Sequence, residues 1–145
     1  MKSLEMYRRI QDLIPSDPKV ISSVELIDGE VWLEMRDEEH PERLATVQSA
    51  GDGWFSLATD GGFSRITVST DPEDEEAIEL VQNYIRLGVG YLKNGAEVRL
   101  VGPLKIPMLA IDPEHPDQLA RMVTSEELKF VLNRFKNRFK GSTSS

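Results

Sequence analysis

The sequence predicts an α+β fold: an antiparallel β-sheet with an N-terminal helix, a long central helix and a C-terminal helix. Three observations carry this prediction. Runs of alternating, β-branched residues follow one another through connections too short for the crossovers that parallel strands require. Between residues 72 and 93 the apolar period becomes that of a helix, bounded by Asp71-Pro72 and by Gly95. A capping box, Thr124-Ser-Glu-Glu127, opens another helical pattern further on. A length of 145 residues predicts one domain over residues 1–140 and a disordered tail at 141–145.

Taken in order, Ser3 to Ile14 is a short helix in which Leu4, Met6, Tyr7, Ile10, Leu13 and Ile14 cover about half the circumference at about 100° per residue. Pro15-Ser-Asp-Pro18 ends it, because proline cannot continue the hydrogen-bond ladder. Val20 to Ile27 and Glu30 to Arg36 flank Asp28-Gly29, a two-residue turn of type I′, which requires positive φ at both central positions. In the second of these strands Val31, Leu33 and Met35 face one way and Trp32, Glu34 and Arg36 the other. Trp32 reads as a partly exposed cross-strand packer. Asp37 to Arg43 is expected to be a charged loop. Leu44 to Ser49, Trp54 to Ala58 and Phe63 to Ser69 complete a meander through turns rich in Gly and Asp.

The central helix is expected to start at Asp71 as N-cap, with Pro72 in the first helical position and Asp74 at the capping-box spacing. Six of the nine residues from Asp71 to Glu79 are acids. They suit the positive end of the helix dipole, and they fan around the helix instead of converging on a cation. Ile78, Val81, Ile85, Val89 and Leu92 form one apolar stripe; Leu80, Tyr84, Leu87 and Tyr91 form a second beside it. Together they span on the order of 200°, where docking on one core needs about 100°. Such a helix needs two neighbours: its own sheet on one side, and other helices or a second copy of the chain on the other. Gly88 lies inside the arc, where it costs roughly 1 kcal/mol relative to Ala unless something approaches closely.

Ala96 to Val101 and Leu104 to Ile111 are the next strands. Pro103 and Pro107 each remove a ladder donor, so the second is expected at a sheet edge. Gln118 to Val123 reads as a single helical turn. In the closing helix Leu128, Val131, Leu132, Phe135 and Phe139 make a stripe about 100° wide, and Phe130 stands opposite among the bases as a contact residue.

A formal charge of −8 argues against general nucleic-acid binding, which needs basic surface. The charge is uneven: residues 121–145 hold 6 Lys+Arg against 2 Asp+Glu, which is either a solvated helix face or a site for an acidic partner. Cysteine is absent, removing thiol chemistry and disulfides. The first residues carry charge where a signal peptide is apolar, and no run reaches membrane-spanning length, so a cytoplasmic protein free of the membrane is expected.

Little in the sequence looks like chemistry. The two histidines share a context, Glu39-His40-Pro41-Glu42 and Glu114-His115-Pro116-Asp117, and would make a metal site if these segments met. There is no phosphate loop and no nucleophile elbow. No catalytic residue, cofactor or metal ligand is assigned.

Glu79-Leu-Val-Gln-Asn-Tyr84 within a helix, Gly90-Tyr-Leu-Lys-Asn-Gly95 at its exit, the strand pair that follows, and Thr124-Ser-Glu-Glu-Leu128 opening a last helix that ends near Phe139 together resemble the YbjN-like family, which shares the fold of type III secretion chaperones. The resemblance covers about residues 63–140 at the level of pattern. It implies a sheet interrupted by the central helix, a homodimer, and a non-enzymatic role in holding a protein or peptide. The chain departs from the chaperone pattern in having about five strand candidates, not three, before the central helix. The expected function is a chaperone- or adaptor-like binding module acting as a homodimer, with Leu80, Tyr84, Leu87, Gly88, Tyr91 and Phe130 as contact residues. The alternatives are a small metal-dependent enzyme using His40, His115 and nearby carboxylates, or an immunity-type toxin inhibitor.

Overall fold

The computed structural model describes residues 2–50, 53–69, 73–111 and 119–121. The expected C-terminal helix, with Phe130, and the segment around His115 lie outside the described residues. Helix α1 (Ser3–Leu13) leads into strands β1 (Val20–Ile27), β2 (Glu30–Asp37), β3 (His40–Ser49), β4 (Gly53–Thr59) and β5 (Phe63–Ser69); helix α2 (Asp74–Asn94) follows, then β6 (Glu97–Val101), β7 (Ile106–Ala110) and β8 (Leu119–Arg121). The strands form one antiparallel sheet in the order β1-β2-β3-β4-β5-β8-β7-β6. The first five are a meander, and the strands after α2 extend it on one side only.

Local chemistry accounts for the turns. Asp28 and Gly29 adopt φ of 52° and 77°, as a type I′ hairpin demands, and the Ile27↔Glu30 pair closes over them. Gly95 ends α2 at φ 70°, its N–H donating to the Tyr91 carbonyl at 2.8 Å.

Four sequence expectations change. Asp37 to Arg43 is no loop. Asp37 pairs with His40 across a two-residue turn, and β3 starts at His40, because the Asp37 carboxylate accepts the Glu39 N–H at 3.1 Å and ties the turn locally. Helix α2 begins at Asp74 rather than after Asp71; Glu73 is its N-cap, without a side-chain cap, and Asp74, Glu75 and Glu76 fill the first turn, where the dipole favours acids. The segment read as a helical turn contributes β8. Strand β7 is internal, and β6 is the edge. Pro107 is accommodated at the end of the β7–β8 ladder, whose paired residues are Met108 and Leu109.

The core sits between the sheet and the two helices. Val31, Leu33, Met35, Val47, Phe55 and Leu57 line the inner sheet face and meet Met6 and Ile10 of α1 and Ile78, Val81, Ile85 and Leu92 of α2. Helix α2 crosses β2, β3 and β4, while α1 lies over β1 and β2 and against α2. The overwide apolar arc is therefore shared. Of its first stripe Ile78, Val81, Ile85 and Leu92 are buried and Val89 is half-buried; of the second, Leu80 and Leu87 are half-buried against the same core. No described helix is long and apolar enough to cross a membrane.

Candidate functional site

Of the contact residues named from the sequence, Tyr84, Gly88 and Tyr91 are buried within one chain. A Cβ on Gly88 would lie 2.9 Å from Met35 Cε and 3.2 Å from Ala45 Cβ, so the close approach that this glycine permits is to the helix's own sheet. The Tyr84 hydroxyl meets that of Thr67. Tyr91 donates to Asp60 Oδ1 at 2.6 Å, and the same oxygen accepts the Leu44 N–H at 2.9 Å. Burial pushes the Tyr91 phenol upward, and the Asp60 carboxylate pushes it further. Arg43 Nη1 donates to the Leu92 carbonyl at 3.1 Å, satisfying one of the orphan acceptors at the end of α2. These groups tether the exit of α2 to β3 and the β4–β5 turn.

A second polar knot closes the other side of that helix end. Asp37, with no exposed surface, lies 3.2 Å from His40 Nδ1 through Oδ2 and 3.8 Å from Lys93 Nζ through Oδ1. Lys93 also reaches Asp17 Oδ2 at 2.8 Å, and Lys19 pairs with Glu39. Burial pushes the Asp37 carboxyl up, but the Glu39 N–H, the His40 ring and the Lys93 ammonium outweigh it and hold the group below its ordinary value. Asp17 is lowered chiefly by its bond to Lys93, which is raised in turn by Asp17. His40 is thus committed to Asp37, and among the described residues no three His, Asp or Glu side chains converge as metal ligands.

Along the outer side of α1 and α2 runs an open groove of about 580 Å³ lined by Arg9, Asp12, Glu75, Glu79, Asn83 and Arg86. Its lining mixes both signs: Arg9 lies 3.7 Å from Glu75, Arg86 donates to the neutral Asn83 at 2.8 Å, and Asp12 and Glu79 stand beside them.

Among the described residues, the two most exposed large apolar side chains lie on the β6–β7 hairpin. Leu104 at its tip is 82% exposed and Leu100 is 65% exposed; Val98, Val101 and Ile106 are exposed as well. All five residues of β6 are exposed. Large apolar side chains gathered at one sheet edge are the kind of patch that marks an interaction site. The sequence held the signal, since Val98, Leu100, Val101, Leu104 and Ile106 fall within nine residues around Pro103. It was masked because alternation suggests one buried face for each strand, and β6 buries neither. Compared with protein-family models, curated proteins and solved structures, the chain matches none.

Proposed function

We propose that the chain is a non-enzymatic binding module, chaperone- or adaptor-like, that acts as a homodimer and engages a protein or peptide through the β6–β7 hairpin. The exposed apolar hairpin carries this reading. A side chain such as Leu104 gains on the order of 2 kcal/mol when moved from water into a partner's surface, and the hairpin presents several such groups on a rigid ladder of five residue pairs. The described polar clusters support the same reading, since the Asp37 and Asp60 networks are spent on turns and a helix end.

The test is comparative capture. Wild-type chain and a Val101→Glu/Leu104→Glu variant, each immobilised, are exposed to the same native lysate, with matched melting temperatures as the control for folding. A protein retained by the wild type and lost from the variant supports the assignment. Equal retention by both removes the hairpin as the contact surface.

A further inference from the structure

The reading above leaves open what pairs with the β6 edge. We propose that it is a second copy of this chain, joined antiparallel with Val98 on the two-fold axis, so that the two sheets become one. This inference rests on the hairpin being a contact surface.

Strand polarity selects the edge. Leu100 stands opposite Pro107, which has no N–H to donate, so the pairs that exchange hydrogen bonds within the hairpin are the alternate ones, at 97, 99 and 101. The N–H and C=O of Val98 and Leu100 then point away from β7 to the open side. An axis through Val98 sets its outward groups against those of Val98 of the partner subunit, the hydrogen-bonded pair of an antiparallel ladder.

Side-chain chemistry selects the register. With Val98 on the axis, Glu97 falls opposite Arg99 of the partner subunit, and Arg99 opposite Glu97 of the partner subunit. On one face two pairs of opposite charge meet; on the other, Val98 and Leu100, which are 54% and 65% exposed in the single chain, gain apolar neighbours. Moving the axis by one residue to Arg99 places like charges directly opposite, which is destabilising. Within one chain Arg99 Nη2 already lies 3.3 Å from Glu97 Oε2, so both side chains share the face this register requires. The other open edge, β1, has Glu25 as its single charged residue and no cation to complement it. Nor is β6 blunted by the lysine, proline or bulge with which sheet edges commonly avoid pairing. The tips, with Leu104, stay outside the joined segment and remain free for a different partner.

The experiment is light scattering on the full chain across a dilution series. A mass of twice 16.4 kDa at high concentration, falling towards one chain on dilution, is expected. Glu97→Arg alone and Arg99→Glu alone each weaken dimerisation by about tenfold or more, because each reversal acts at two symmetric places. The double variant E97R/R99E restores it. Val98→Cys supplies a second measurement: in a chain without cysteine, mild oxidation yields a covalent dimer. A single-chain mass at every concentration, a dimer indifferent to the single reversals, or failure of the Val98→Cys chain to cross-link overturns the inference. If the mass is that of one chain while the tip variant still loses its captured protein, the binding assignment stands and the self-pairing falls.

Discussion

Replacing Gly88 by alanine sets two effects of known sign against each other. In a helix interior the change is worth roughly 1 kcal/mol of stabilisation, because glycine loses more backbone freedom on folding. Here the new methyl would sit 2.9 Å from Met35 Cε, 3.2 Å from Ala45 Cβ and 3.5 Å from Leu57 Cδ1. Overfilling a packed core costs about 1–3 kcal/mol. Met35 can swing the end of its chain aside, but Ala45 Cβ moves only with β3, so part of the strain stays. We expect Gly88→Ala to destabilise by about 1 kcal/mol, a fall in Tm of about 4 °C for a chain of this length. Gly88→Leu should bring a several-fold larger loss. Urea denaturation of wild type, Gly88→Ala, Met35→Leu and the double variant reads the coupling directly. Met35→Leu withdraws the terminal methyl at a cost below about 1.5 kcal/mol, and the alanine penalty should shrink in that background. If Gly88→Ala instead stabilises by the full helical increment, α2 does not lie as close to β2 and β3 as described, and the packing argument fails.

The remaining expectations concern the polar knots. Asp17 and Asp37 have folded pKa values below their ordinary 3.8, so the stability they contribute is complete above that value and drains as pH falls through the lowered one; acid denaturation followed by tryptophan fluorescence should be less steep for Asp37→Asn than for wild type. Lys93 has the opposite sense, with its pKa raised above 10.5, so its contribution is complete below 10.5 and is lost as pH rises through the folded value. Lys93→Met should accordingly lower Tm near neutral pH and make its decline shallower at both the acid and the alkaline end. Tyr91→Phe deletes the bond to Asp60 and should cost about 1.5–3 kcal/mol near neutral pH, as for a buried hydrogen bond to a charged group; because the phenol is raised above 10 in the fold, the gap between wild type and variant should close as pH climbs past 10.

The meander was legible from sequence because its rules are local. Asp28-Gly29 dictates its turn, and the alternation of Val31, Leu33 and Met35 dictates which face is buried; β1 and β5 have the boundaries the pattern predicts. The width of the α2 arc was legible too, and its consequence holds: α2 needs cover beyond a single face, and α1 beside it supplies part of that cover. What escaped depends on partners distant in the chain. Asp37 in a run of acids looks solvated, yet Lys93 from the end of α2 reaches it. By local rules Pro107 marks an edge strand, but whether β7 is an edge depends on β8, and residues 119–121 carry no strand signal of their own. The exposed hairpin escaped for the same reason, since nothing in Val98 or Leu100 announces that they will stand exposed.

The junction formed by β8 has a consequence for how the molecule comes together. Among the described residues, the strand pairing that joins the β6–β7 hairpin to the meander runs through three residues, by Phe63↔Arg121 and Ser64↔Ala120 on one flank and Met108↔Ala120 and Leu109↔Leu119 on the other. A growing chain can fold the meander from near-neighbour contacts, but the hairpin has no neighbouring strand to pair with until residue 121 has emerged. This short keystone is the last of the described strands to be made, and amide hydrogen exchange should show its flanks opening before the meander does.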